Sequence, residues 1–578
     1  MISLLRRYLR KYLWETVANV VFVIAQVLLQ LQVVSMTKVI LNKGVKVGDV
    51  PVIVNTSVVM LLMTLAMGVS VVIASYMSSR VTACVTFDLQ EDIFKKIVSL
   101  SQYDYSRFGG STLMTRATSD VSNIQLFLLN FLRSCLLVPF VIVGLIIATA
   151  MISLGLCAIL VVAFALTIAF MVLKSKQSIP PFNEYRSSLD RLNVLMREKI
   201  EGARSIRAFG RRQYETEKFD AVNRESVDVS LEADYRIYFL TPVALIIMNV
   251  AVVVIYYLGS IELQSQIVSI SDLILFFQYV TYFISSLALI PFLVNTLPKV
   301  VVSVARIREV LDFEETIVND PKTAPARCDG EITFKNVIFG YDGAKDVIAD
   351  ISFHAKPGTT TAFIGATGSG KSTIMYLLDR MYDPTFGEIF VDGVDVRDMD
   401  LEALRSRISF ASQKTLVLQD TVYNNIAMGD ETITRDDAKA CCDVTMFSEV
   451  LDHLDNGLDS EMAQGGMNVS GGQKQRLSLA RAIARDAEIY VFDDTFSALD
   501  LKTEAMVRKS IKERLAGRTV IMVAQKISTI RDADNIIVLE KGRIAAQGTH
   551  GELLATCPVY QEIYESQDYG QEGGEANG

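Results

Sequence analysis

Net positive charge and paired cysteines are both missing from this sequence. Its 578 residues carry 56 lysines and arginines against 65 aspartates and glutamates, a formal net charge of −9 at pH 7. Nucleic-acid-binding domains are usually basic, so the charge gives no support for binding to DNA or RNA. The cysteines have no C-x-x-C spacing, and the one adjacent pair has no histidine beside it, so we interpret all of them as reduced packing residues. They are Cys84, Cys135, Cys157, Cys328, Cys441, Cys442 and Cys557.

A cleavable signal peptide is also lacking. Residues 1–14 instead carry an amphipathic helical pattern, and such a helix lies in the interface of an anionic membrane leaflet. An apolar run follows at once, which disfavours a solvated helix of a soluble domain. The apolar side is formed by Ile2, Leu5, Leu9 and Leu13, with Leu4 as an exception, and the basic side by Arg6, Arg7, Arg10 and Lys11.

Long apolar runs dominate the first half of the chain, which is 51% hydrophobic overall. Six stretches reach the roughly 20 residues that a helix needs to cross a bilayer. The sequence therefore predicts a six-helix transmembrane domain over residues 15–305. The six stretches lie near 15–40, 53–79, 128–152, 156–175, 238–260 and 268–298.

Two long polar segments, 80–127 and 175–237, carry helical patterns between the apolar runs. The second is rich in Lys and Arg, whereas the turn at 153–155 and the loop at 261–267 carry none. The positive-inside rule places both segments and both termini in the cytoplasm, although Lys43 and Lys46 lie in a loop predicted to be external. Short external loops and the lack of organelle-targeting signals favour a bacterial cytoplasmic membrane.

Charged residues are scarce inside the predicted spans, and no acidic cluster lies there. A dedicated cation pathway is therefore not expected, and an apolar or amphipathic cargo fits better. Amides in lipid are costly, so those present are expected to face the bundle interior or a water-filled path, the alternative being hydrogen bonds between helices without a ligand. The amide residues are Gln26, Gln30, Gln32, Asn249 and Gln278.

The composition changes around Ala324–Asp329, and a soluble domain is predicted from residue 331. A buried strand at Thr361–Ile364 precedes a glycine-rich loop and then an apolar-periodic helix. This is a P-loop in its strand–loop–helix context, in which backbone N–H groups and a helix N-terminus bind phosphate. Lys371 would bridge the β- and γ-phosphates of ATP, and Ser372 would ligate Mg²⁺. The expected cofactor-binding residues are Gly365, Thr367, Gly368, Ser369, Gly370, Lys371, Ser372 and Thr373.

A second phosphate-related pair of motifs follows in the last third of the chain. The apolar strand Ile489–Phe492 ends in Asp493, a candidate carboxylate for Mg²⁺. Upstream of it, Ser470-Gly471-Gly472-Gln473 forms a turn at a predicted helix start. A P-loop and an Asp-terminated strand occur in many nucleotide hydrolases, but this turn is much more specific.

Together these motifs resemble the ATP-binding cassette (ABC) family. In that family the Ser470–Gln473 turn, the signature turn, caps the γ-phosphate of an ATP bound on the opposite subunit. The resemblance implies that Tyr341 stacks on adenine, that Gln413 touches Mg²⁺ and senses the membrane domain, and that Asp500 acts across the dimer in the D-loop 497–500. The stretch Gly202–Arg211 and the six spans resemble the exporter branch of the family.

The resemblance covers residues 1–565 and implies a membrane α-helical domain followed by an α/β P-loop domain with a helical subdomain. The expected organisation is an interfacial elbow helix (1–14), the six-helix domain with long cytoplasmic helices (15–305), a linker (306–330), the cassette (331–565) and a disordered acidic tail (566–578). Segments near Ser111–Arg116 and Arg207–Glu217 are expected to act as coupling helices. No peptidase domain precedes the spans, so processing of a peptide cargo is not expected.

Two positions depart from the family pattern. Asp494 stands where a glutamate normally polarises the attacking water, and Gln525 stands where a histidine normally contacts the γ-phosphate. The chain has only three histidines, and none lies at that position. A base moved by about 1 Å can lose around a hundredfold in rate, and glutamine cannot carry a histidine's positive charge.

This combination resembles the degenerate-site subunit of heterodimeric bacterial multidrug exporters, which have a partner half-transporter with a Glu/His site. Its cofactors would be ATP and Mg²⁺, and its cargo an amphipathic small molecule. Two alternatives remain: a homodimeric exporter with atypical catalytic residues, or an importer or a lipid or siderophore transporter on the same scaffold. The six spans disfavour a soluble cassette ATPase of DNA repair or translation.

Overall fold

The computed structural model describes residues 2–287, 290–323, 329–341 and 346–575. The chain divides into two units. The first comprises Met1–Ser99 and Gly109–Phe313, and the second comprises Leu100–Phe108 and Glu314–Gly578. The composition change at Ala324–Asp329, in the expected linker, lies mostly outside the described residues.

Helices account for the regular structure of the first unit. A helix satisfies its own backbone polar groups, which a segment in hydrocarbon must do. Up to residue 311 the helices are α1 (Ile2–Leu9), α2 (Leu13–Val39), α3 (Val50–Ser99), α4 (Gln102–Phe108), α5 (Gly110–Thr115), α6 (Val121–Asn130), α7 (Leu137–Ala150), α8 (Leu154–Glu201), α9 (Ala203–Ala208), α10 (Arg212–Tyr238), α11 (Leu240–Gln264), α12 (Ile270–Leu287) and α13 (Ile290–Leu311). A 3₁₀ turn (Arg10–Tyr12) and three π-helical turns (Ile40–Val45, Arg116–Asp120 and Phe131–Cys135) connect some of them.

Among the described residues, five helical stretches are long and apolar enough to cross a membrane. They are Ser3–Val45, Val50–Ser99, Gly110–Ala150, Leu154–Met171 and Pro242–Gln264. The sixth expected span, 268–298, coincides with α12 and the start of α13, where the described residues contain the shorter apolar helix Ile270–Ser285. Both long polar segments are helical over most of their length, as the sequence predicts, because α3, α8 and α10 extend through them.

The N-terminal helix α1 is docked on α3. The Tyr8 hydroxyl donates to Asp92 Oδ2 over 2.6 Å, and Lys11 forms an ion pair with Asp88 at 2.7 Å. Leu4, which lies off the apolar face in the sequence pattern, is buried together with Leu5. Packing against α3 therefore covers a wider apolar surface than the helical pattern alone predicts.

The five amide residues of the predicted spans differ in exposure. Gln26, Gln30 and Gln278 are half-buried, whereas Gln32 and Asn249 are exposed in this chain. The Asn249 amide donates to the Leu245 carbonyl of its own helix over 2.8 Å. That bond satisfies the amide locally, with no ligand required.

Two sheets form the second unit. The six-stranded sheet has the order β10-β9-β3-β8-β7-β6, and the four-stranded antiparallel sheet has the order β2-β1-β4-β5. In the larger sheet only β10 is antiparallel to its neighbour. The strands are β1 (Ile332–Phe339), β2 (Ile348–Ala355), β3 (Thr360–Gly365), β4 (Phe386–Val391), β5 (Val394–Asp395), β6 (Ile408–Ala411), β7 (Ile489–Asp493), β8 (Thr519–Val523), β9 (Asn535–Glu540) and β10 (Arg543–Gly548).

The central strands are buried on both faces. Every residue of β7 and β8 is buried, as their continuous apolar runs predict for parallel strands covered by helices. The helices of this unit, after α4, are α14 (Lys371–Leu378), α15 (Leu401–Arg407), α16 (Val422–Ala427), α17 (Arg435–Val444), α18 (Ser448–Leu451), α19 (Gly471–Ala484), α20 (Leu501–Arg514), α21 (Ile527–Ile530), α22 (His550–Thr556) and α23 (Pro558–Glu575).

Helix α4 belongs to the second unit although its sequence lies between helices of the first. Asp104 is fully buried, and its carboxylate accepts from the hydroxyl and the backbone N–H of Thr316 at 2.5 and 3.1 Å. Tyr103 packs edge-on against Tyr382. The sequence placed the first coupling segment at Ser111–Arg116, but the segment that packs into the cassette unit is Gln102–Phe108.

The C-terminal segment also differs from its prediction. Helix α23 runs from Pro558 to Glu575, whereas the sequence predicts a disordered tail from residue 566. Tyr560 anchors this helix, since its side chain is fully buried and its hydroxyl lies 2.7 Å from His550 Nδ1. The Gly/Glu/Gln-rich composition gave no sign of this anchor, because the contact that holds the helix lies upstream of the tail.

Candidate functional site

The glycine-rich loop joins β3 to α14 and is shaped by glycine backbone geometry. Gly368 and Gly370 have φ values of 82° and 96°, which favour glycine. A Cβ on Gly365 would lie 2.2 Å from the Leu539 carbonyl oxygen, and one on Gly370 would lie 2.5 Å from Ile348 Cγ2. A side chain at either position would overlap these neighbouring atoms and displace the loop backbone. The structure therefore requires the glycines that the motif supplies.

Lys371, at the first position of α14, turns back over the loop. Its Nζ donates to the carbonyls of Gly365 and Ala366 at 2.8 and 2.9 Å. Burial lowers the pKa of Lys371, although Asp494 and Asp493 act in the opposite direction. The Ser369 hydroxyl is buried without a hydrogen-bond partner. A loop with a cation and an unsatisfied hydroxyl is suited to binding phosphate.

Ser372 and Asp493 meet at the carboxyl edge of the sheet. The Ser372 hydroxyl donates to Asp493 Oδ1 over 2.9 Å, and Asp493 Oδ2 is buried without a partner. Burial raises the pKa of Asp493, and the Ser372 hydrogen bond opposes that shift. A hydroxyl beside an unsatisfied carboxylate oxygen is the donor set that Mg²⁺ prefers, so these residues fit the metal that the P-loop implies.

Asp494 is in contact with Gln525, the other residue that departs from the family pattern. Its Oδ2 accepts one hydrogen bond from Gln525 Nε2 at 2.7 Å and another from Gln413 Nε2 at 3.1 Å. Burial raises the pKa of Asp494, and both amide donors act against that shift. Its backbone φ is +51°, a left-handed conformation that aspartate adopts more readily than most residues. The structure thus brings together all three side chains that the sequence assigned to catalysis.

Tyr341 lies beside the loop helix. Its hydroxyl is 3.2 Å from Thr373 Oγ1, and its ring packs edge-on against Phe339 and Tyr382. The sequence predicted an adenine-stacking aromatic at this position. The contacts place the ring next to the P-loop residue Thr373.

Ser470 caps α19 with the signature turn. The Ser470 backbone N–H donates to Gln473 Oε1 over 2.8 Å, and the Gln473 N–H donates to Ser470 Oγ over 3.3 Å. This capping box satisfies two donors of the helix N-terminus. A Cβ on Gly471 would meet open space, whereas one on Gly472 would lie 3.0 Å from the Ala498 carbonyl. Within the described residues, the Ser470 and Gln473 side chains each accept from the backbone N–H of the other residue.

Asp500 is the N-cap of α20, where its Oδ1 accepts from the Thr503 N–H over 3.0 Å. Gln475, which sequence reasoning missed, holds the D-loop from α19. Its Oε1 accepts from the Ala498 N–H over 2.9 Å, and its Nε2 lies 3.4 Å from Ser497 Oγ. The signature helix and the D-loop are therefore physically joined.

Comparisons with known proteins agree with this geometry. Residues 16–287 match the family model "ABC transporter transmembrane region", and residues 348–497 match the model "ABC transporter". An uncharacterized ABC transporter ATP-binding protein of Mycobacterium tuberculosis is 34% identical over 574 residues, 98% of each chain. The chain belongs to the ABC transporter family.

Further relatives of this ABC transporter extend the comparison. The ATP-dependent lipid A-core flippase of Alcanivorax borkumensis is 30% identical over 518 residues, 88% of this chain and 87% of the flippase. A solved bacterial Atm1-family ABC exporter with ATP bound superposes with a TM-score of 0.79 at 23% identity, covering 97% of this chain and 98% of the other. The structural likeness shows that the ABC transporter has an exporter-type fold, with a transmembrane helical domain followed by a nucleotide-binding domain.

Two contacts of the ABC transporter site were missed by sequence reasoning. Gln475 reaches the D-loop across 23 residues of chain, and Gln567 reaches the backbone at Gln525 across 42. Both are ordinary helical glutamines in the sequence. A signal could have come from the position of Gln475 two residues after the signature turn, but nothing marked Gln567.

Proposed function

We propose that this chain is the degenerate-site subunit of a heterodimeric ABC exporter, with ATP and Mg²⁺ as its cofactors. Its own P-loop binds ATP but hydrolyses it slowly. Its signature turn completes the catalytic site of a partner half-transporter, which carries the glutamate and histidine that this chain lacks. The assembly is a multi-pass protein of the cytoplasmic membrane with both termini in the cytoplasm.

The observation that carries this proposal is the double hydrogen bond on Asp494. Oδ2 already accepts from both Gln525 and Gln413, which leaves Oδ1 to take a proton from the attacking water. A carboxylate stabilised by two donors is a weaker general base than the same carboxylate without them. Aspartate also reaches less far than glutamate, so a base at this position is displaced by one methylene from the usual geometry. Neutral Gln525 supplies a donor but no charge.

The side chains expected to hold phosphate and Mg²⁺ are separate from those two positions. Lys371, Ser369 and the loop glycines form the phosphate cradle, and Ser372 with Asp493 would hold Mg²⁺, which would neutralise phosphate charge. Gln413 contributes an amide at the same carboxylate cluster. The binding machinery is therefore retained while the hydrolytic residues are altered, which supports a binding role for this site.

The signature turn supports the second half of the proposal. Its capping box is intact, and its N–H groups at Gly471 and Gly472 are presented at a helix N-terminus that attracts anions. In a composite ABC dimer, those groups serve the nucleotide of the opposite subunit. Asp500 and Ser497, in the D-loop, would lie at the same interface.

For the cargo we favour an amphipathic compound moved out of the cytoplasm. The relative that is named as a lipid A-core flippase supports export of an amphipathic molecule. The importer alternative is tested by the direction of transport in inverted membrane vesicles, because an exporter loads those vesicles and an importer does not.

The decisive test is the steady-state Mg-ATPase activity of this chain purified alone in lipid nanodiscs. Size measurement and Mg-ATP binding establish that the sample is folded, and Lys371→Ala provides a control that loses binding. Near-zero turnover with retained ATP binding is expected. Brisk turnover from a homodimer would overturn the proposal, since Asp494 and Gln525 would then suffice for catalysis.

A further inference from the structure

The C-terminal helix α23 holds the segment that carries Gln525. Gln567 Nε2 donates to the Gln525 carbonyl over 2.8 Å, and the Ile527 N–H donates to Gln567 Oε1 over 2.8 Å. One side-chain amide thus satisfies two backbone groups on either side of Lys526. The Gln567 side chain thus makes the pair of hydrogen bonds, one donated and one accepted, that a neighbouring strand makes in a sheet.

The segment lies between two regular elements and has further contacts: Lys526 Nζ lies 3.8 Å from Glu504 Oε2, and the Lys526 carbonyl accepts from the Thr529 N–H over 3.3 Å. Strand β8 ends at Val523, and the four-residue helix α21 begins at Ile527. The residue that precedes this helix, Lys526, makes no capping hydrogen bond with its side chain. The first N–H groups of a helix lack internal partners, so Gln567 acts as the cap for Ile527 from a distant part of the chain.

The support behind Gln567 is firm. Helix α23 packs against α22, α21 and β9. Tyr560 is fully buried and lies against His550, and Gln561 Nε2 donates to the Leu554 carbonyl over 2.7 Å. Because these contacts fix the helix upstream of Gln567, the Gln567 side chain is held next to the segment Gln525–Ile527.

The first residue of the same segment, Gln525, reaches the candidate ATP site with its side chain. The Gln525 backbone is held by Gln567 while the Gln525 side chain donates to Asp494 Oδ2. A side chain keeps a short hydrogen bond only if its backbone is held within a few tenths of an ångström, as required of groups that support a functional site. Loss of the Gln567 bonds would free the Gln525 backbone and loosen the bond to Asp494.

We propose that Gln567 is a positioning residue for the ATP site, holding the switch segment Gln525–Ile527 so that the Gln525 amide remains on Asp494. This inference rests on the role of Asp494 and Gln525 proposed above. The coupling is reciprocal by thermodynamic linkage, so ATP binding that engages Gln525 changes the opening of the Ile527 amide.

Two variants and one control test this role in the full chain in nanodiscs. Gln567→Met removes both hydrogen bonds at similar size, and Gln567→Glu keeps the acceptor for Ile527 but replaces the donor to the Gln525 carbonyl. Gln561→Met removes a comparable bond in the same helix with no link to the switch segment. Mg-ATP affinity and backbone hydrogen exchange, with and without Mg-ATP, are the two readouts.

For Gln567→Met, exchange at the Ile527 amide is expected to rise roughly tenfold, since leaving a donor unpaired costs on the order of one hydrogen bond. Mg-ATP affinity is expected to change several-fold, and the exchange difference between free and bound states to shrink. Gln567→Glu should protect Ile527 better than Gln567→Met, and Gln561→Met should change neither readout. Unchanged exchange at the backbone amides of Leu553 in α22 and Gln561 in α23 shows that both helices remain folded.

Faster exchange at Ile527 with unchanged Mg-ATP affinity would overturn the proposal, because Gln567 would then be only a structural cap. Unchanged exchange and affinity would overturn it as well. Neither readout depends on turnover. Failure of the degenerate-site proposal, seen as brisk hydrolysis by the unaltered chain, is therefore distinguishable from failure of this one.

Discussion

The side-chain amide of Gln525 donates to Oδ2 of Asp494 over 2.7 Å, although 31 residues separate the two positions. The two departures from the family pattern therefore form one contact. Residues in contact show non-additive effects when they are substituted, so Asp494 and Gln525 are expected to behave as a unit.

Replacing this pair by the usual residues is the first prediction. Asp494→Glu with Gln525→His should raise ATP turnover of the assembled transporter by up to about a hundredfold, because a longer carboxylate and a chargeable imidazole restore the base and its γ-phosphate contact. The fold-increase in ATP turnover of the double variant should exceed the product of the fold-increases of the two single variants. Looser coupling of hydrolysis to transport is expected.

Steady-state ATPase assays check this prediction. Asp459→Glu, which lengthens an exposed carboxylate paired with Arg435, is the matched control and should leave turnover unchanged. If the double variant gives no rise, the defect lies elsewhere or is set by the signature turn of the partner.

The signature turn gives the second prediction. Ser470→Ala removes a capping box worth about 1 kcal/mol, and Gly471→Asp places a carboxylate where a phosphate would approach. Both should lower hydrolysis at the partner's site while this chain keeps its own Mg-ATP affinity. Measurement requires hydrolysis by the assembled dimer and nucleotide binding by this chain.

Thr434→Ala is the control for Ser470→Ala, since Thr434 forms the equivalent capping box with Asp437 at the start of α17. It should cost similar stability and spare hydrolysis. Loss of ATP binding in this chain with normal partner hydrolysis would contradict the composite-site assignment.

The third prediction concerns the pH dependence of nucleotide binding. Burial lowers the pKa of Lys371, although Asp494 and Asp493 partly oppose the shift. Protonated lysine binds phosphate, so Mg-ATP affinity should fall as pH rises through the free-state pKa of Lys371, which lies below that of an ordinary lysine. Lys371→Arg keeps its charge and should show a flatter alkaline profile, which equilibrium binding between pH 7 and about pH 10 would measure. An identical decline in both proteins would mean that another group titrates.

The fourth prediction uses Asp379, the C-cap residue of the loop helix α14. Its side chain is 7% exposed, and burial raises its pKa to about 6, with Arg405 and Arg485 partly offsetting the shift. Its folded pKa lies above the unfolded value of 3.8. The folded state therefore binds more protons between those values, and stability falls as pH rises through this window.

Asp379→Asn removes that penalty and should stabilise the protein at pH 8 by up to about 3 kcal/mol, from two pKa units at about 1.4 kcal/mol each. Below the unfolded pKa little difference is expected. Thermal unfolding in nanodiscs at about pH 4.5 and pH 8 measures the effect. Exposed Asp455→Asn serves as the control, and a stability gain of equal size at both pH values would refute the assignment to Asp379.

The local parts of the site could be predicted from the sequence. The P-loop, the strand that ends in Asp493 and the signature turn are each encoded within fewer than ten residues, and the structure has the strand, loop and helix where the pattern predicts them. The membrane helices were equally readable, because five of the expected spans coincide with helices of the described residues that are long and apolar enough to cross a membrane. The packing of Gln102–Phe108 into the cassette unit was not predicted, since Asp104 and Tyr103 contact residues more than 200 positions away.

By itself the sequence indicated the ABC architecture and marked Asp494 and Gln525 as departures from the family pattern, because both depend on residue type at short spacing. Only the tertiary structure decided that Gln413 and Gln525 both donate to one oxygen of Asp494, and that Gln567 holds the backbone of Gln525. Those contacts join β7, the segments after β6 and β8, and the C-terminal helix. Their distances follow from the packing of a sheet and its covering helices, which no local pattern of residues records.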